Sequence, residues 1–161
     1  MNKSDRKLIS AFIKRYEDVR CLAGVENYGI DYVQHAMKVV NRLVNNVRHD
    51  FDTAKTTSVL FAGTMMESGN KVGKSFQEAI GIGIWRFKQT IIHLEDQVYG
   101  LGNLDEDLIE KLIRNHREPH TDEDSLEETI VKDVYNLLEG NFDNLKLEES
   151  KDIIDYVNRL N

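Results

Sequence analysis

Apolar residues in this chain recur every three or four positions, the spacing of one helix face, and nowhere alternate as a half-buried strand requires. Leu8, Ile9, Phe12, Ile13, Tyr16 and Val19 form the first stripe, with Ser4 as N-cap and an end near 21–24. After a Gly-bearing connection, a second helix carries Ile30, Val33, Met37, Val40 and Val44 on one face, with His35 beside them. Arg48-His49-Asp50 reads as a polar turn. Asp52 then caps a third helix through Ala54, Val59, Leu60, Phe61 and Met65. Gly69 to Gly73 breaks the pattern, and a fourth helix over 75–99 turns Phe76, Ile80, Ile84, Phe87, Ile91 and Leu94 inward. Its Gly81 and Gly83 each cost about 1 kcal/mol against alanine, which goes with a close helix neighbour or a bend.

A helix over 105–117 follows, with Leu108, Ile109, Leu112 and Ile113 on its apolar face, closed by the lone Pro119. Thr121 is the expected cap of the next, whose first-turn acids suit the helix dipole and whose stripe is Ile130, Val131, Val134, Leu137 and Leu138. A last helix over 147–160 buries Ile153, Ile154, Val157 and Leu160. The pattern predicts an all-α, single-domain bundle over 1–161 of about seven helices. Leu60, Phe61, Ile80, Ile84, Ile113 and Val134 should share its core.

Length and composition fit one domain that buries roughly two-thirds of its unfolded surface. No run approaches the roughly 20 apolar residues that cross a bilayer, and no signal-like apolar block follows the N-terminus. No membrane and a cytoplasmic location are therefore expected. The single Cys21 permits no internal disulfide. The net charge of −7 is uneven: from Glu118 onward there are 13 acidic and 4 basic residues, a net of −9, which leaves +2 for residues 1–117. That half is a poor nucleic-acid groove, since phosphate binding needs Lys and Arg, and no nucleic-acid partner is expected.

Three local motifs carry little. Gly69-Asn70-Lys71-Val72-Gly73-Lys74-Ser75 has three residues, not four, between its first glycine and Gly-Lys-Ser, and a phosphate loop needs a preceding strand. A helix-turn-helix over 74–88, turning at Gly81, would have a recognition segment too apolar for base edges. His116 and His120 have a zinc-like spacing, but Pro119 breaks the helix between them.

In order along the chain, several segments resemble the HD-domain superfamily of metal-dependent phosphohydrolases. Tyr32-Val33-Gln34-His35-Ala36-Met37-Lys38-Val39-Val40 is similar to the helix of the family's first histidine. The family's His-Asp pair falls at Ala62-Gly63, after Val59-Leu60-Phe61, whereas the literal His49-Asp50 comes too early. Ser75 to Gly81 resembles a later segment, with Gln77 where a histidine often stands. Asp107 to Glu118 resembles the Ile-x-x-His-His helix, with His116 kept and Arg117 in the second place. Glu128 to Leu137 resembles the helix of the last metal aspartate, here Tyr135, with Asp133 nearby. The resemblance covers about 28–140.

The resemblance implies a helical fold around a former metal site that lacks most of its ligands. An ion that activates water needs three or more converging N/O ligands and an open position. The implied protein is a catalytically inactive HD-like module that binds a nucleotide or another phosphate-bearing ligand, or regulates a partner, with no cofactor expected. Its pocket would gather His35, Glu67, Gln77, His116 and Tyr135, with Lys74, Arg114 and Arg117 for phosphate. One alternative is a working nucleotide phosphohydrolase whose divalent metal is held by His35, Glu67 and Asp133. Another is a structural or protein-interaction bundle using the acidic surface after Glu118 or an apolar patch around Trp85.

Overall fold

A computed structural model describes residues 3–22, 30–68, 75–94 and 104–160. Its elements are α1 (Lys3–Leu22), α2 (Ile30–Asn46), α3 (Thr53–Met65), α4 (Phe76–Leu94), α5 (Glu106–Asn115), α6 (Leu126–Glu139), a 3-10 turn (Phe142–Asn144), α7 (Glu148–Asp152) and α8 (Ile154–Leu160). There is no strand among the described residues. The fold is an all-α bundle.

Helix α3 is the axis of the packing. Every residue from Thr56 to Met65 is buried, and the helix touches α1, α2, α4, α5 and α6. Burial on all sides explains why its apolar residues are spread round the helix rather than gathered in one stripe. Thr56 and Ser58 enter this setting by donating their hydroxyls to the carbonyls of Asp52 and Ala54, at 2.9 and 2.8 Å. Phe61 anchors the centre. Its ring meets Phe12 edge-on at 4.1 Å and Phe87 at 5.8 Å between centroids. Leu60, Phe61, Ile80, Ile84, Ile113 and Val134 all lie in one buried cluster, as the periodicity predicts.

Two glycines set helix approach. A Cβ on Gly63 would sit 2.6 Å from Cγ2 of Val40, so its absence lets α2 lie close against α3. A Cβ on Gly83 would sit 2.6 Å from the Met65 carbonyl oxygen, so α4 needs glycine to cross the end of α3. Gly81 is different: nothing lies within 4 Å of its Cβ position. Helix α4 continues through it, which removes the turn of a helix-turn-helix.

Local signals account for several boundaries. Asp52 caps α3 by accepting from the Lys55 N–H at 2.8 Å, as expected. Ser4 does not cap α1, because the helix already includes Lys3. Nor does Thr121 cap α6. Its N–H and hydroxyl both donate to Asp124, closing a separate turn, while Ser125 and Glu128 form a reciprocal capping box. The expected last helix is two helices. Ile153, at φ −103° and ψ 8°, breaks it between α7 and α8. No described helix is long and apolar enough to cross a membrane.

Candidate functional site: a buried carboxylate and the cleft beside it

The turn after α3 delivers Glu67 into the interior, only 1% exposed. Helix α5 ends against it. His116 caps that helix, and its Nε2 lies 2.8 Å from Glu67 Oε1, while Nδ1 lies 2.6 Å from the Ile113 carbonyl oxygen. His116 thus bridges a last-turn carbonyl of α5 to the buried carboxylate. Arg117, the next residue, grips the same carboxylate from the other side: Nε donates to Oε1 at 2.6 Å and Nη2 to Oε2 at 2.8 Å. This two-pronged pairing is the strong form of an Arg–carboxylate contact.

Aromatic rings frame the cluster. The Arg117 guanidinium lies 4.4 Å over Phe76 and 5.5 Å from the Tyr135 ring centre. Tyr135 also meets the His116 ring edge-on at 5.2 Å. Burial pushes the Glu67 carboxyl up, but the hydrogen bonds and charges of His116 and Arg117 outweigh it and hold it at about 2. Burial, reinforced by the negative charges of Glu67 and Glu139, pushes Tyr32 on α2 well above the ordinary phenol value. Burial also raises Tyr135, against the opposing charge of Arg117.

A second buried carboxylate lies further along. Asp133 on α6 accepts from the backbone N–H of Lys146 and of Leu147, each at 2.9 Å. It also accepts from the Ser150 hydroxyl at 2.5 Å and lies 2.8 Å from His120 Nε2. Lys132 Nζ bonds Asp124 and the Pro119 carbonyl, at 2.9 and 3.1 Å, fixing the segment that carries His120. Between the two clusters opens a cleft of about 400 Å³, bordered by Arg117, His120, Asn136, Lys146, Glu118 and Asp143. That size falls within the range of small-molecule sites.

The structure thus brings together Glu67, His116, Tyr135 and Arg117. Gln77 is exposed at the start of α4, beside Phe76 but outside the buried cluster. Arg114 faces outward and pairs with Glu110 at 3.4 Å. His35 is half-buried on α2. Lys74 and the 69–74 part of the phosphate-loop motif lie outside the described residues. His116 and His120 serve different carboxylates, so their spacing is no shared site.

A divalent ion of the kind the resemblance implies does not fit these residues. Both Glu67 oxygens are engaged by His116 and Arg117, and Asp133 is saturated by four donors. Gly63 offers no ligand and Val40 fills the space in front of it, so that part of the expected polar pocket is apolar and closed. Among the described residues no three His, Cys, Asp or Glu side chains converge as an ion needs.

Sequence reasoning missed His120 as a lining residue of the cleft and as a partner of the buried Asp133. The available signal was Asp133 itself, an acid set among Ile130, Val134 and Leu137 on the buried face of α6. Such a group must find donors. No family model matches this chain, and no curated protein or solved structure shows significant similarity to it.

Proposed function

We propose that this chain is a non-catalytic, HD-like binding module that takes a small phosphate-bearing ligand in the cleft beside Arg117. One observation carries the reading: Arg117 is oriented by Glu67 and packed on Phe76, yet its side chain is still 30% exposed where it borders the cleft. A guanidinium held in one geometry loses little freedom on gripping an anion. Lys146 adds a second cation to the lining, and Asn136 and Asn144 add amides for hydrogen bonding. Glu67 and His116 act as positioning groups. Arg117 supplies the positive charge that a metal ion provides in the family the sequence resembles, and no bond-breaking step is assigned.

The test is calorimetric titration of the whole chain with inorganic phosphate and with nucleoside mono-, di- and triphosphates. Binding should weaken at least tenfold in Lys146→Glu, whose side chain is exposed, so the fold is retained. The exposed Glu139, whose charge acts on Arg117, works against an anion, and Glu139→Gln should tighten binding. Metal-dependent phosphate release by the unaltered chain, lost in His35→Ala, would overturn the non-catalytic part. Absence of binding by every phosphate compound would overturn the ligand class.

A further inference from the structure

The outer face of α4 is unlike the rest of the described surface. Trp85 is 46% exposed and Ile92 is 57% exposed, the only large hydrophobic side chains so placed among the described residues. They share a stripe with Glu78, Gly81 and Lys88, all exposed, at the three- and four-residue steps that keep one helix face in line. Gly83 is explained by its contact with Met65. Gly81 has no such neighbour, although glycine is unfavourable in an exposed helix interior. The stripe therefore pairs a protruding indole with an open notch one turn away, and sets an acid, Glu78, and a base, Lys88, on either side of that pair.

We infer that a second copy of this chain docks here, α4 against α4 and antiparallel, about a two-fold axis midway between Gly81 and Trp85. That register sets Trp85 opposite the partner's Gly81 and Glu78 opposite the partner's Lys88, and symmetry makes each contact twice. Charge complementarity singles out this register. Glu78 and Lys88 then each meet an opposite charge, whereas a parallel pairing would set like against like, and Ile92 lies beyond the paired segment. The ordinary intrachain contacts of these residues do not prevent it. Lys88 reaches Glu110 at 3.4 Å and Glu78 meets Ser75 at 3.1 Å, both near the surface and individually weak. One helix face buries less than the roughly 1,200 Å² of a standard interface, so the dimer is a reversible one of micromolar or weaker affinity.

The experiment is sedimentation equilibrium of the full chain from about 1 μM to about 500 μM, followed in parallel by tryptophan emission. Trp85 is the only tryptophan, so its spectrum reports this face alone. The expected result is a monomer–dimer equilibrium with emission shifting to the blue as dimer forms. Trp85→Ser should abolish association. Gly81→Leu should raise the melting temperature, because the helix gains a better former, while weakening association at least tenfold by filling the notch. Lys88→Glu should weaken it about tenfold, and adding Glu78→Lys should restore it. A monomer across the whole range, with constant emission, would overturn the inference. So would a dimer indifferent to Trp85→Ser or Gly81→Leu, and so would failure of the double reversal to restore pairing while the variant remains folded.

Discussion

Glu67 and Asp133 are both buried carboxylates with a histidine nitrogen at 2.8 Å, yet they are neutralised in opposite ways. Glu67 is met by the side chains of His116 and Arg117, one of which reaches the surface. Asp133 is met largely by the backbone leading into α7 and by the Ser150 hydroxyl within that helix, and it is fully buried. Side-chain partners can turn away to water when the carboxylate is lost. Backbone N–H groups cannot, without dismantling the turn that holds them. The first arrangement is therefore suited to meeting a ligand, and the second to holding the chain together.

The apolar scale is set by Phe61→Ala, which should cost about 3–5 kcal/mol in urea denaturation because three rings lose their mutual packing. Asp133→Ala should come close to it, at about 3–4 kcal/mol, since two backbone donors and a hydroxyl are stranded. A loss under about 1 kcal/mol would mean that Leu145, Ile153 and Val157 hold the C-terminal helices without help. Glu67→Gln should cost less, about 2 kcal/mol, because Arg117 can reorient into the cleft and be hydrated. If it cost more than Asp133→Ala, the contrast between the two carboxylates would be reversed.

Acid unfolding sharpens the comparison further. The Glu67 carboxyl is depressed from 4.5 to about 2, so its contribution is full above pH 4.5 and is lost as pH falls toward 2. Asp124 follows the same sign from 3.8 to about 2. Burial raises it, and Lys132 together with the Thr121 donors more than offsets that. Stability measured by denaturant midpoint should therefore fall across this window. Glu67→Gln should flatten the slope without removing it, because Asp124 remains. An unchanged slope would show that Glu67 is not held ionised by its two partners.

The helices were legible because their apolar residues follow the helical period, and Asp52 was legible because its capping signal is wholly local. Thr121 was misleading for a physical reason. Thr121-x-x-Asp124 and Ser125-x-x-Glu128 are successive signals of the same form, but the Thr121 hydroxyl donates to Asp124 instead of accepting its N–H, so only Ser125 and Glu128 close the box. The break at Ile153 left no mark in a stripe that stays apolar through it. The meeting of Glu67 with His116 and Arg117 spans 49 and 50 residues, so no local pattern could encode it. Those residues could be grouped only through the order of the resembling segments. Even then Arg117 was expected to await a phosphate, whereas it is already engaged by Glu67.

The tie between Asp133 and residues 146–150 also bears on how the chain is completed during synthesis. Helix α6 emerges first, carrying a carboxylate on the face that must enter the core. Until Lys146, Leu147 and Ser150 follow, that charge has lost water while gaining only His120 among its four partners, and docking of α6 is unfavourable. The ribosome-bound intermediate should therefore keep α6 loosely attached, and its final seating should coincide with release of the segment that forms α7. Proteolytic trimming between α6 and α7 would recreate the same unfinished state in the mature protein. A cut there would loosen the core rather than remove a dispensable tail.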